Sequence, residues 1–289
     1  MPVYFLGMNV QYLRERRQLH LSQQTYVEAL MSQYKEYIRG PRTLPIGCGI
    51  QLNREQGEVK PTSLPYSSLV GSLLYLAVCT RPDVSFAVGT LSKFISCPGR
   101  EHWRAAIDTL SYLGATRRAG IMLGDVRGGV EHGMVAYADS DWANDTDDRK
   151  SVSGGAMFVD GSLVAWMSRK QNLVCTSTAE AEIHALMDVL NTVRGVGNLL
   201  RELGEFFSVK KMGVPIIFSD NQPGMDAIRA RKAKRKHYDV KVKHLAESIA
   251  TGEFKLQKLS SAANIADVFT KAFRSVRFQS LTRFFMTEM

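Results

Sequence analysis

The sequence predicts an α/β fold built on a mixed five-stranded sheet with flanking helices. Three observations carry that prediction. Between residues 134 and 270, short apolar runs of strand-forming residues alternate with stretches in which apolar residues recur three and four apart. An Asp-Gly pair, Asp160 and Gly161, stands between two of the runs, where a tight turn needs positive φ. Four acids, Asp139, Glu182, Asp220 and Asp267, each fall at a strand end or in the first turns of a helix, where open sheets of this class gather their sites.

The elements follow in order. Residues 4–10 and 18–21 alternate around a charged stretch at 14–17, as a hairpin would, and 23–34 reads as a helix. Residues 40–65 hold Pro41, Pro45, Pro61 and Pro65 and several glycines, the composition of a long extended connection. Residues 69–78, 84–94 and 103–113 have helical spacing, so the first part of the chain reads as a smaller, mainly helical module. Residues 134–138 then form a strand that ends on Asp139, and 153–159 and 163–167 form a hairpin around Asp160 and Gly161. These three strands are expected to be antiparallel neighbours.

After residues 176–178, three hydroxyl side chains that suit a helix cap, Ile183, Leu186, Leu190 and Val193 mark a helix with Glu182 in its first turns. Gly195 and Gly197 fall within its pattern, at about 1 kcal/mol each relative to Ala, so the helix is expected to end early, kink or pack closely there. Residues 214–219 form a buried-type strand ending on Asp220, 222–230 a helix and 253–259 a fifth strand. Asn264 caps a last helix carrying Ile265, Val268, Phe269 and Ala272, with Asp267 in its first turn. If these segments converge, the four acids make a hard oxygen cage for divalent metal, suited to activating water against a phosphodiester.

Other acids compete for two of these places. Asp141 lies two residues after Asp139, on the same strand face, and competes for its place. Glu180 lies about 200° around the helix from Glu182, so only one of the two faces the cage. Asp147, Asp148 and Asp160 read as loop acids. His184 and His237 read as structural, with a phosphate contact open to His237. Trp142 and Trp166 pack in the core or flank a substrate groove, core being the simpler reading.

The motifs at 137–143 (YADSDWA), 148–151 (DRKS), 166–171 (WMSRKQ), 177–182 (STAEAE), 219–222 (SDNQ), 236–239 (KHYD) and 264–271 (NIADVFTK) resemble the ribonuclease H domain of copia-type retrotransposon polyproteins. Upstream, the runs at 4–8 (YFLGM), 19–23 (LHLSQ), 66–75 (YSSLVGSLLY) and 80–83 (TRPD) are similar to the end of the reverse transcriptase and the connecting segment before ribonuclease H. The resemblance implies a reverse transcriptase palm-end, thumb and connection remnant over residues 1–128, a ribonuclease H-like domain over 129–275 and a C-terminal tail over 276–289. It also implies hydrolysis of the RNA strand of an RNA–DNA hybrid to 5′-phosphate and 3′-hydroxyl ends. Two Mg²⁺ ions, with Mn²⁺ as substitute, would be held by Asp139, Glu182, Asp220 and Asp267, and no small-molecule cofactor is expected. Ribonucleases H often carry a His before the last acid; residues 259–264 (LSSAAN) have none, which implies slower or differently gated turnover. No Tyr-x-Asp-Asp sequence occurs, so no polymerase site and no DNA synthesis is expected of this chain alone.

Charge is consistent with a polyanionic partner. The formal net charge is +9 and the isoelectric point about 9.4. Eight Lys and Arg residues lie between Arg229 and Lys243 against one acid, Asp239. Within this run Lys232, Lys234, Arg235, Lys236, His237 and Lys241 are the expected nucleic-acid contacts, against the alternatives of a solvated helix face or a nuclear-localisation signal. The polymerase portion of a reverse transcriptase is the other expected partner. With 45% hydrophobic residues the 289-residue chain can bury two cores, and Cys48, Cys79, Cys97 and Cys175 lack paired metal-ligand spacing. No signal peptide or membrane-spanning run is read, so an intracellular location, a cytoplasmic particle or the nucleus, is expected. A catalytically inactive hybrid-binding module and a structural subunit of a reverse transcriptase complex are the alternative functions.

Overall fold

The computed structural model of the protein describes residues 3–57, 64–124, 133–207, 213–232 and 236–289, with side chains for all of these except 205–207, 236 and 237. The chain divides into two compact units, one of residues 1–126 with 271–289 and one of residues 127–270.

The first unit contains an antiparallel five-stranded sheet. Strands β1 (Val3–Phe5), β2 (Met8–Leu13) and β3 (Gln18–Ser22) form a meander, and β3 pairs with β4 (Ala119–Gly124). Helices α1 (Gln24–Gln33), α2 (Tyr66–Cys79), α3 (Ser85–Ser92) and α4 (Arg100–Ala115) supply the core, with Leu69, Leu73, Leu76, Leu91, Leu110 and Leu113 fully buried. Helix is the larger part of this unit, but its sheet is wider than the sequence pattern indicates. The chain end, read above as a tail, also differs from expectation. It forms helix α8 (Ser275–Thr282) and strand β10 (Met286–Glu288), and β10 pairs antiparallel with β4. Phe278, Leu281 and Phe285 recur at helical spacing and are buried in the first unit, a stripe masked in the sequence by Arg274, Arg277 and Arg283.

The second unit has a ribonuclease H-like fold, a mixed sheet in the order β7-β6-β5-β8-β9. Its strands are β5 (Met134–Asp141), β6 (Val152–Val159), β7 (Ser162–Lys170), β8 (Ile216–Ser219) and β9 (Lys255–Lys258). The first three are antiparallel, and β8 and β9 add in parallel on the far side of β5. Asp160 and Gly161 take φ of +48° and +78°, the left-handed pair that the β6–β7 turn requires.

Helix α5 (Thr178–Phe207) runs through Gly195 and Gly197 without ending. A Cβ on Gly195 would meet nothing within 4 Å, so no close approach demands that glycine. Two helices lie between β8 and β9: α6 (Gln222–Arg229), which ends where the basic stretch begins, and α7 (Lys236–Ala250), which carries the second half of that stretch. Ile183, Leu186 and Leu190 of α5 pack with Val242 and Leu245 of α7 and with Met134, Ala136, Ala138 and Ile217 of the sheet.

The last predicted helix is instead a 3₁₀ turn, Ile265–Phe269. Asn264 caps it through Ala266 N–H (3.2 Å), and Thr270 closes it after five residues, its backbone N–H donating to Asp267 C=O (3.1 Å). Ala272 lies beyond the turn and outside this unit.

Candidate metal centre

Four segments bring the acids into position. Alternation along β5 sends Met134, Ala136 and Ala138 into the core and leaves Asp139 near the strand's carboxyl end, opposite Gly154 of β6. Asp220 follows the last residue of β8, between buried Ser219 and the cap of α6. Ser219 Oγ accepts from Asn221 N–H (3.2 Å), and Asn221 Oδ1 accepts from Gly224 N–H (2.6 Å), which fixes the bend that presents Asp220. Glu182 lies in the second turn of α5, whose start is held by Ser177 Oγ accepting from Glu180 N–H.

Oxygen atoms of Asp139, Glu182 and Asp220 all lie within 4.8 Å of one another. Asp139 and Glu182 are buried and Asp220 is half-buried. Asp267 is also buried but falls outside that close set. It is tied to the same strand by two links: Asn264 Nδ2 donates to Ala138 C=O (3.1 Å), and the Thr270 hydroxyl donates to Asp139 Oδ2. Gly154 makes this approach feasible, since a Cβ there would come within 2.7 Å of Ala266 O and 2.6 Å of Thr270 Cγ2.

This donor set suits a hard divalent cation. Every donor is a carboxylate oxygen, the chemistry of Mg²⁺, Mn²⁺ or Ca²⁺ sites and not of thiolate-rich zinc sites. Carboxylates this close repel one another unless a proton or a cation intervenes. Among the described residues no hydrogen bond reaches the buried atoms Glu182 Oε2 and Asp267 Oδ1, and both would suit as cation ligands.

The competing acids take other roles. Asp141 Oδ2 accepts from Asn144 Nδ2 (2.6 Å), and Glu180 Oε2 accepts from both the N–H and the hydroxyl of Thr176 at 2.8 Å, closing the start of α5. Asp148, with buried Asp145, takes up the Lys170 ammonium (2.9 and 2.6 Å). Trp142 does not pack in the core: it is 43% exposed and donates its indole N–H to Cys175 C=O (2.9 Å). Trp166 is half-buried.

A second group, Cys175, Glu180 and His184, also brings its ligand atoms within 4.8 Å of one another. Lys241 lies beside this group, with Nζ at 2.7 Å from His184 Nδ1. Burial lowers the Lys241 pKa and pushes the Cys175 thiol up to about 11. Of the expected nucleic-acid contacts, then, Lys241 is turned onto α5, whereas Lys232 is exposed. Lys234 and Arg235 lie outside the described residues, and Lys236 and His237 are described only as α7 backbone. No described helix is long and apolar enough to cross a membrane.

Sequence reasoning missed Thr270 and Gly154 as residues that bring the Asp267 turn against the sheet. Only Thr270, a hydroxyl three residues after an acid, carried a local signal.

No protein-family model matches the chain. It is 32% identical over 284 residues to the retrovirus-related Pol polyprotein from transposon TNT 1-94 of Nicotiana tabacum, covering 95% of this chain and 21% of that protein. To the corresponding polyprotein from transposon RE2 of Arabidopsis thaliana it is 32% identical over 282 residues, 97% of this chain and 19% of that one. The secreted RxLR effector protein 161 of Plasmopara viticola is 42% identical over 126 residues, 44% of this chain and 87% of that protein. The chain spans about a fifth of the length of the transposon polyproteins it matches. Matches to these polyproteins run along nearly the whole length of the chain, which thus resembles one stretch of a copia-type retrotransposon Pol polyprotein.

Proposed function

We propose that the second unit is the ribonuclease H of a retroelement, a metal-dependent endonuclease that hydrolyses the RNA strand of RNA–DNA hybrids to 5′-phosphate and 3′-hydroxyl ends. The observation that carries this reading is the meeting of Asp139, Glu182 and Asp220 within 4.8 Å, drawn from a strand, a helix and a second strand end. Asp267 completes the set from the turn that Asn264 and Thr270 tie to β5.

These four acids would hold two Mg²⁺ ions, with Mn²⁺ as substitute, which when bound lower the pKa of an attacking water and stabilise the leaving oxygen. The protein's own part is positional. Thr270 orients Asp139 by donating to its Oδ2. The Asn221 cap fixes the backbone on which Asp220 stands. Hybrid phosphates are met by the basic stretch, through exposed Lys232 and through Lys234, Arg235, Lys236 and His237, while the RNA strand's 2′-hydroxyls distinguish it from DNA. Lys241 belongs to the same stretch and stands beside His184 of α5. The first unit is the reverse transcriptase end and connection, which guides the hybrid and docks on the polymerase portion.

The test is cleavage of a labelled RNA–DNA hybrid by the purified chain, with Mg²⁺ and with chelator, for wild type and for Asp139→Asn and Asp220→Asn. The expected result is Mg²⁺-dependent cutting of the RNA strand that each substitution lowers by about 100-fold or more. A folded wild-type chain that binds hybrid in a salt-dependent manner and never cuts it would replace this reading with that of a hybrid-binding module.

A further inference from the structure

Gln171 follows the last residue of β7 and is buried, 6% exposed. Its side-chain amide joins three elements. Nε2 lies 2.9 Å from Ser153 Oγ on β6, 3.3 Å from Ser140 Oγ on β5 and 2.9 Å from Ala181 C=O on α5. Oε1 accepts from the Cys175 thiol (3.0 Å), and the backbone N–H donates to Ser151 C=O (2.8 Å). The amide orientation is fixed by this set, because a backbone carbonyl only accepts and the nitrogen must face Ala181.

Each anchor adjoins a metal-site residue. Ser140 follows Asp139, Ala181 precedes Glu182, and Ser153 is the cross-strand partner of Ser140, next to the Gly154 that faces Asp139. A single buried amide thus spans the gap between the strand that carries one carboxylate and the helix that carries another. Helix α5 reaches the sheet here through Gln171 as well as through its apolar stripe, and apolar contacts are not directional. Hydrogen bonds with fixed donors and acceptors supply the register that packing alone leaves loose.

We infer that Gln171 is a positioning residue for the metal centre: it sets the separation of Asp139 and Glu182 and thereby the affinity for divalent cation. This inference rests on the proposed metal-dependent function. Replacement by methionine keeps the length and removes every side-chain link. Groups that orient metal ligands typically change metal affinity about 10–100-fold when removed, and a loss in that range is expected for Gln171→Met.

The test measures Mg²⁺ and Mn²⁺ binding by titration calorimetry on the full chain, well below the unfolding midpoint, for wild type, Gln171→Met, Ser153→Ala and Leu245→Ala. Leu245 is a core residue of α7, which carries none of the acids, so Leu245→Ala controls for lost stability. The expected result is weaker cation binding in Gln171→Met, a smaller weakening in Ser153→Ala, and binding like wild type in Leu245→Ala. Equal affinities in Gln171→Met, Ser153→Ala and wild type would overturn the inference, as would an equal loss in Leu245→Ala. Should Gln171→Met fail to fold, Ser153→Ala decides in the same two directions. A wild-type chain with no measurable cation binding would instead remove the metal-dependent reading itself.

Discussion

Thr270 donates its hydroxyl to Asp139 across 131 residues of sequence, and the same oxygen lies 3.0 Å from the Asp267 carbonyl. One side chain thus links a strand-borne acid to the turn that carries another. Thr270→Val keeps the shape and removes the donor. It is expected to weaken Mg²⁺ binding by about 10–100-fold, the range for groups that orient metal ligands, while leaving the circular dichroism spectrum unchanged. Unchanged Mg²⁺ affinity by calorimetry would show that Asp139 is oriented without it.

Gly154 is expected to tolerate no side chain. Its added Cβ would press on the Ala266 carbonyl at 2.7 Å, and backbone yields less readily than a side-chain tip. Gly154→Ala should cost about 1–3 kcal/mol in denaturant unfolding through overpacking, and should weaken cation binding by pushing the Asp267 turn off β6. A variant with wild-type midpoint and wild-type metal affinity would contradict this tight packing.

In the first unit, Arg81 and Asp83 form a buried bidentate pair, each side chain 1% exposed, with contacts of 2.9 and 2.7 Å. Tyr112 O–H donates to Asp83 (2.6 Å), and Thr116 accepts from Arg81 through its hydroxyl and its carbonyl. Arg81→Met would leave the Asp83 charge buried beside a neutral side chain. The expected loss is about 3–5 kcal/mol of unfolding free energy, and Arg81→Met with Asp83→Asn should recover part of it. A loss below about 1 kcal/mol, the scale of an exposed pair, would be inconsistent with this burial.

Acid should weaken the contact of α5 with the end of α7. Arg194 pairs with Glu253 (Nη2 to Oε2, 2.9 Å) and also meets His244 and Ser248. Its hydrogen bonds hold the Glu253 carboxyl below the usual range. A depressed carboxylate contributes stability that is fully present above its unfolded-state pKa of about 4.3 and is lost as pH falls through the folded value. The pair is about one-third exposed, so the contribution is expected within about 0.2–1 kcal/mol. Wild type should exceed Glu253→Gln in unfolding midpoint at neutral pH, and the gap should close below about pH 4. A gap that persists at pH 2 would assign the difference to packing instead of charge.

Much of the second unit was legible because its signals are local. Alternating apolar runs gave β5 to β8, the Asp-Gly pair gave the β6–β7 turn, and the three- and four-residue recurrence gave α5. Residues that depend on distant contacts were not legible. Gly154 looks like any strand glycine until Ala266 and Thr270 are seen against it, and Gln171 looks like a polar residue after a charged one until three elements close around it. Lys241 read as a phosphate contact because its neighbours are basic, yet His184, 57 positions earlier, sits beside its ammonium. The end of the chain was misread for a related reason. Strand β10 is three residues long, and a strand so short has no periodicity of its own; its partner β4 supplies its identity.

That pairing bears on synthesis of the chain. Strand β10 completes a sheet whose other members, β1 to β4, precede residue 126, so the whole second unit leaves the ribosome before the first can close. All five strands of the second sheet emerge together, and it can mature while its neighbour still waits for an edge. Ending translation shortly after residue 270 would therefore strip a strand from the unit made first and spare the one made later.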